Sequence, residues 1–147
     1  MSKLSSHTFP RDILALSKPL VTLGVTITSL VGYIINARVI NPPELFYLLA
    51  GVILMSSGAA TFNHIIERKL DAQMLRTKNR PIASGRISVR AGSIVGTTFL
   101  IFGFAILYFL SNPICALLGA FNAVWYLLIY TPLKRISVWA VFVGSIT

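Results

Sequence analysis

The sequence predicts an all-α membrane protein, a polytopic bundle of four complete transmembrane helices and the start of a fifth. Of its 147 residues, 55% are hydrophobic and only 12% are charged, and the mean hydropathy is +0.78. In soluble domains about a quarter of the residues are charged, so this composition argues against an ordinary soluble domain. Several long charge-free segments are the third observation, because a bilayer core requires roughly 20 apolar residues in a helix. We treat residues 1–147 as a single transmembrane domain.

The first two predicted helices are separated by a pair of prolines. Helix one is placed at 20–35 and helix two at 45–66, each within a stretch without charged residues. Pro42 and Pro43 mark the turn between them, because proline cannot continue a helix from its interior.

The charge-free stretch that precedes Lys134 is too long for a single span. The Ser-Asn-Pro sequence at 111–113 divides it into helix three at 91–110 and helix four at 114–130. A last apolar run covers 136–147, about a dozen residues, which are too few to cross a bilayer at 1.5 Å per residue. The tail is either an unfinished fifth helix or the end of a fragment, and we expect a fragment of a longer protein.

The basic residues predict the orientation of the helices. The chain has 13 Lys and Arg residues against four Asp and Glu residues, a net charge of +9. With the N-terminus inside, every basic residue except Arg38 falls on the cytoplasmic side, as the positive-inside rule requires. We therefore expect a multi-pass protein of a bacterial-type inner membrane with a cytoplasmic N-terminus and a cytoplasmic 67–90 loop. Because topology accounts for the positive charge, no nucleic-acid partner is expected.

Three polar residues at the end of helix two have the spacing of a metal site. Asn63, Glu67 and Asp71 are four residues apart, so they share one face if the helix continues beyond the membrane surface. Two carboxylates and an amide oxygen are hard ligands that suit Mg²⁺, which bridges protein carboxylates to substrate phosphates.

Basic residues follow this group within one short segment. Arg76, Lys78 and Arg80 are suited to clamp phosphate oxygens, Arg through its bidentate fork and Lys as a point charge. A substrate with a diphosphate head and an apolar tail would match both halves of the segment. The spacing alone leaves a solvated cytoplasmic loop as the alternative, in which Glu67 pairs with a basic neighbour.

The complete string resembles the first acidic motif of the UbiA-type intramembrane prenyltransferases. It reads NHIIERKLDAQMLRTKNRP over 63–81 and SGRIS over 84–88. The Lys18-Pro19 pair before helix one and the Tyr130-Thr131 and Lys134-Arg135 pairs after helix four are also similar to the family. Within this superfamily the string is most similar to the protoheme IX farnesyltransferases (heme O synthases), and the resemblance covers about 12–147.

The resemblance implies a nine-helix fold, of which this chain matches the N-terminal half. It implies a Mg²⁺-dependent prenyltransferase that moves a farnesyl group from farnesyl diphosphate to the vinyl group of heme b, giving heme o. Farnesyl diphosphate, heme b and the lipid bilayer are the implied partners, and a downstream heme-modifying enzyme is a further one. We expect little activity from the truncated chain alone.

The resemblance also assigns roles to individual residues. Glu67 and Asp71 would hold Mg²⁺ with the assistance of Asn63, and these three form the expected catalytic and metal-binding set. The expected diphosphate ligands are Arg76, Lys78, Arg80 and Lys134. Two positions depart from the commonest family pattern, which has Asp at the place of Glu67 and often another Asp at that of Lys69. We expect a shifted metal position and a weaker second metal.

Several alternatives stay open at this point. The acceptor could instead be an aromatic or quinone precursor, since that pocket is separate from the diphosphate machinery. A different class of function is a non-catalytic assembly subunit whose loop serves as a topology signal and contacts anionic lipids. Tyr126 and Tyr130 are candidates for stabilising a carbocation or for an interfacial aromatic belt. His64 is a candidate heme ligand or a hydrogen-bonded group at the membrane surface.

Overall fold

The computed structural model describes residues 9–134, 136–137 and 139–145, and every regular element in these ranges is helical. In chain order the helices are α1 (Phe9–Leu16), α2 (Pro19–Asn36), α3 (Pro42–Gln73), α4 (Val89–Ile106), α5 (Pro113–Trp125), α6 (Thr131–Leu133) and α7 (Ala140–Gly144). Two π-helical segments, Leu107–Ser111 and Tyr126–Tyr130, extend α4 and α5.

Four of these segments are long and apolar enough to cross a membrane. They are Pro19–Asn36, Pro42–Gln73, Val89–Ser111 and Pro113–Leu133. They coincide with the four predicted helices, so the predicted all-α transmembrane fold is confirmed. The chain is an integral membrane protein, and its outward-facing Leu, Ile, Val and Phe side chains suit contact with lipid.

The end of α3 and the presence of α1 differ from the sequence prediction. Helix α3 continues to Gln73 instead of ending at residue 66, so the first part of the predicted 67–90 loop is helical. The prediction followed the apolar window, which stops at the first charge, whereas the polar residues beyond it are good helix formers. Helix α1 precedes the first span and buries Asp12 and Leu16. It escaped prediction because it is short and partly polar.

The last apolar run is only partly described. Within 136–147 the structure contains α7, a helix of five residues. Arg135 and positions 138, 146 and 147 lie outside the described residues.

Helix α3 is the central element, since α1, α2, α4 and α5 all pack against it. Its contact with α4 depends on glycine. A Cβ atom added at Gly103 would lie 2.8 Å from the backbone nitrogen of Met55, and one at Gly58 would lie 2.9 Å from the carbonyl oxygen of Gly96. Small residues allow such close approach between membrane helices, whose association depends on van der Waals packing. The α3–α4 pair is therefore a firm support for the polar end of α3.

A groove of about 850 Å³ lies between α2, α3 and α5. It extends from Lys18 to the region of Asn36 and Asn112, roughly 27 Å if measured along the 18 residues of α2. Its walls are mainly apolar and include Val25, Val52, Met55 and Leu118. The groove ends at Lys18 close to the polar end of α3.

We predict that Gly103→Ala separates α3 from α4 and lowers the stability of the bundle. The added methyl group meets backbone atoms that cannot rotate away, and overpacking of this kind costs about 1–3 kcal/mol. The measurement is the midpoint of thermal unfolding in detergent. Gly24→Ala is the matched control, because a Cβ there has nothing within 4 Å, and equal midpoints for the two variants would contradict the assignment.

Candidate functional site

The polar triplet, defined as Asn63, Glu67 and Asp71, lies on one face of α3. The helix continues through all three positions, so successive members are about 6 Å apart along its axis. Asn63 is fully buried and Asp71 is 4% exposed, and ionisable groups on membrane helices almost always face the protein interior in this way. Burial of this kind requires partners for each side chain.

The two carboxylates are paired with basic residues from two different segments. Lys134 Nζ lies 2.8 Å from Glu67 Oε1, and it reaches α3 from the segment that follows α6. Arg80 Nη1 donates to both carboxylate oxygens of Asp71, at 2.9 and 2.8 Å. Because Asp71 is largely shielded from water, removing Arg80 would leave a buried carboxylate without this cation, at a cost in stability.

Asn63 joins three segments through hydrogen bonds of its side chain. Lys18 Nζ donates to Asn63 Oδ1 at 2.6 Å. The amide nitrogen of Asn63 donates to Thr131 Oγ1 at 3.2 Å, and this hydroxyl donates to the carbonyl oxygen of Tyr126 at 2.8 Å. The chain of bonds connects the α1–α2 turn, α3 and the end of the last span.

Lys18 occupies an unusual position between α1 and α2. Its backbone is left-handed, with φ 48° and ψ 69°, and it precedes a proline, which disfavours helical conformations at that site. A non-glycine residue held there costs on the order of 1–3 kcal/mol. The turn is held by Thr22, whose hydroxyl donates to the carbonyl oxygen of Ser17 at 2.7 Å.

The charge of Lys18 is only partly compensated. The pKa of its amine is lowered to about 8, chiefly by burial and then by the positive charges of Arg80 and Lys134, against the opposing effect of the two carboxylates. The amine is still mainly an ammonium at neutral pH. Among the described residues, Lys18, Arg80 and Lys134 are thus cations in contact with the triplet.

The segment between α3 and α4 is folded against α1 by a second ion pair. Arg86 Nε lies 3.1 Å from both carboxylate oxygens of Asp12, and Arg86 Nη2 also donates to the carbonyl oxygen of Asn79 at 2.9 Å. Thr77 Oγ1 donates to the carbonyl oxygen of Asp71 at 3.1 Å. These contacts hold residues 74–88 in place and thereby position Arg80.

The donor atoms of the triplet fit a hard divalent cation. Carboxylate and amide oxygens are the ligands that Mg²⁺ prefers, and Mg²⁺ commonly binds through one or two carboxylates, waters and substrate phosphates. Among the described residues, no group of three or more His, Cys, Asp or Glu side chains is placed to hold a metal ion.

The remaining predicted residues are placed differently. The side chains of Arg76 and Lys78 are exposed and form no ion pair within the described part of the chain. Tyr126, like Lys18, lines the groove, and its ring stacks on that of Tyr130 with centroids 5.6 Å apart. His64 is buried, and both of its ring nitrogens have no hydrogen-bond partner among the described residues.

Sequence reasoning missed the roles of Lys18, Thr131 and the pair of Asp12 with Arg86. Lys18 and Thr131 belong to segments noted for their resemblance, but neither type of residue indicates a contact with Asn63. The contacts join positions 45 and 68 residues apart in the chain, and Asp12 is 74 residues from Arg86. The only local signal was the Lys-Pro pair, which predicts a non-helical break at residue 18.

Comparison with known proteins identifies a family and several relatives. Residues 25–147 match the UbiA prenyltransferase family. A protoheme IX farnesyltransferase of Christiangramia forsetii is 38% identical over 134 residues, which are 91% of this chain and 44% of the relative. The protein of the same name from Flavobacterium psychrophilum is 38% identical over 91% of this chain and 45% of its own length.

A eukaryotic relative is also similar. A mitochondrial protoheme IX farnesyltransferase of Pyricularia oryzae is 37% identical over 91% of this chain and 26% of its own length. The chain thus spans less than half the length of these curated relatives. No solved structure gives a significant match.

We predict that Arg86→Met loosens the segment 74–88. The substitution leaves the carboxylate of Asp12, 6% exposed, without its cation, and a hydrogen bond to a charged group contributes on the order of 1.5 kcal/mol or more. Amide hydrogen exchange across 74–88 should accelerate about tenfold, while α4 keeps its protection. Arg90→Met, at an exposed position of the same region, is the control. Unchanged exchange in Arg86→Met would show that the ion pair does not hold the segment.

Proposed function

The chain belongs to the UbiA prenyltransferase family, and we propose that it takes part in the transfer of a farnesyl group from farnesyl diphosphate to heme b. The observation that carries this proposal is the position of the polar triplet at one end of an apolar groove, together with the cations Lys18, Arg80 and Lys134. The anionic head of a prenyl diphosphate is complementary to the charged cluster, and its apolar tail is complementary to the groove.

The polar part of the site suits the diphosphate head and Mg²⁺. We propose that Glu67 and Asp71 hold the metal ion with Asn63, as the donor set allows. When bound, Mg²⁺ would supply Lewis acidity toward the departing diphosphate. Arg80 and Lys134 are the nearest proposed diphosphate ligands, and the exposed Arg76 and Lys78 are proposed ligands at the rim. Positive groups aimed at the leaving group stabilise the charge that develops on it.

The apolar part suits the isoprenoid chain. A volume of about 850 Å³ is within the range of small-molecule pockets, and Val21, Val25 and Ala60 line the portion nearest the triplet. A water-excluding wall protects an allylic carbocation from hydrolysis. Tyr126 lies where the polar and apolar parts meet, and its ring face is suited to stabilise that cation.

Heme b is the proposed acceptor because the relatives are named protoheme IX farnesyltransferases. An acceptor for an allylic cation must present an electron-rich carbon, and a heme vinyl group does so. We further propose that the end of the bundle that carries the triplet faces the cytoplasm. Its exposed side chains include Arg76, Lys78 and Arg90, and Lys and Arg accumulate on the cytoplasmic side of membrane proteins.

The test is heme o formation in lipid nanodiscs with Mg²⁺, farnesyl diphosphate and heme b, followed by mass spectrometry. The chain is assayed alone and together with the remaining segment of the Christiangramia forsetii relative, expressed as a second polypeptide. We expect heme o from the combined chains. Binding of farnesyl diphosphate without binding of heme b would favour another acceptor. Failure to bind either ligand would favour a non-catalytic assembly subunit.

We predict that Asp71→Asn reduces farnesyl transfer by the combined chains about 10²-fold or more. The substitution removes one of the two carboxylates proposed to hold the metal, and electrostatic groups at a reacting centre typically contribute on this scale. The assay is the initial rate of heme o formation. Gln73→Ala is the control, because it changes an exposed polar side chain at the same end of α3 and removes no carboxylate. Equal rates for the two variants would exclude a catalytic role for Asp71.

A further inference from the structure

Lys18 lies at the junction of the two parts of the proposed site. Its side chain lines the end of the groove, and its ammonium contacts the side-chain oxygen of Asn63 at 2.6 Å. The carboxylates of the triplet are bound by Lys134 and Arg80. Within the described residues, Lys18 is the cation of this cluster whose hydrogen-bond acceptor is a neutral amide.

The Lys18 ammonium donates a hydrogen bond to Asn63 Oδ1, the oxygen that a metal ion held by Asn63 would need. Asn63 Oδ1 is the one oxygen of that fully buried side chain, and its amide nitrogen is committed to Thr131. The carboxamide has no second oxygen to offer. A metal ion at Oδ1 would lie beside the Lys18 ammonium, and repulsion between the two positive charges makes them compete for this one buried oxygen.

The backbone at residue 18 supports a functional reason for this contact. A left-handed lysine before proline is strained, and strained residues concentrate at binding and switch sites. A glycine would satisfy the same turn without strain. The position of Lys18 is thus maintained against a local preference, and its long side chain is directed to Asn63.

We propose that Lys18 is a further binding residue of this site, whose ammonium occupies Asn63 Oδ1 in the absence of metal and moves to the diphosphate when a divalent cation takes that oxygen. This inference rests on the proposed function, because it requires both a metal and an anion at the triplet. A flexible four-carbon side chain suits such an exchange, since its charge can move without movement of the helix. No bond is made or broken in the exchange, and only ligand contacts are replaced.

The experiment measures binding of two probes to the chain in detergent, so that no turnover is needed. Mn²⁺ binding is followed by electron paramagnetic resonance without any anion, and inorganic pyrophosphate binding by calorimetry in the presence of Mg²⁺. Lys18→Met is expected to bind Mn²⁺ about tenfold more tightly, because a competing charged hydrogen bond is lost. The same variant is expected to bind pyrophosphate about tenfold more weakly, because a charge-assisted contact is lost.

Two further variants separate this proposal from a structural role for Lys18. Lys18→Gly also removes the ammonium but relieves the backbone strain, so it should fold and show the same opposite changes in the two affinities. Arg90→Met removes a charge from an exposed position at the start of α4 and should change both affinities less than twofold. Unfolding of both Lys18 variants, or Mn²⁺ affinity that is unchanged or weaker in them, would overturn the proposal.

A substitution at Asn63 tests whether Lys18 changes Mn²⁺ affinity through its contact with that residue. In an Asn63→Ala background the contested oxygen is absent, so Lys18→Met should no longer tighten Mn²⁺ binding. Tightening that persists there would show that Lys18 acts only through general repulsion, and the exchange would be rejected. If the unsubstituted chain binds Mn²⁺ and pyrophosphate but Lys18→Met changes neither affinity, the inference fails while the proposed function stands. If the unsubstituted chain binds neither probe, the proposed function fails first.

Discussion

Compensation of the polar face at the end of α3 is the constraint on which the arrangement of this protein depends. Asn63 is fully buried and Asp71 is nearly so, and polar groups at that depth of a membrane protein need partners from elsewhere in the chain. The partners come from the α1–α2 turn, the segment before α4 and the residues after α6. The polar triplet therefore brings three segments that are distant in the sequence together at one end of α3.

The packing of α3 explains why this organisation leaves space for a ligand. Glycines on both helices let α4 approach one side of α3 so closely that an added Cβ atom would clash with backbone atoms. Helix α2 lies on another side of α3, and the groove opens between α2, α3 and α5. One helix thus has a tightly packed side that holds it in place and an open side beside the triplet. Lys18 and Tyr126 line that opening, so the charged cluster and the apolar space are continuous.

The sequence predicted what depends on local composition and periodicity. Charge-free stretches located four spans, and the spacing of Asn63, Glu67 and Asp71 predicted their shared face. The extension of α3 to Gln73 was missed because hydropathy marks the membrane boundary and not the end of hydrogen bonding in a helix. Contacts such as that of Asp12 with Arg86 depend on tertiary structure. A lysine beside a membrane helix is already explained by topology, so the contact of Lys18 with Asn63 had no distinct signal.

The dual use of the cations has a thermodynamic consequence for the proposed site. Lys134 and Arg80 neutralise carboxylates of the triplet, so an anion that arrives alone must draw them away from Glu67 and Asp71. A metal ion that arrives alone must likewise displace or face these positive charges. When both arrive, the metal compensates the carboxylates and the cations compensate the anion, and no charge is left unpaired. Binding of the two is then mutually favourable through exchange of partners, and by linkage each must raise the affinity for the other by the same factor.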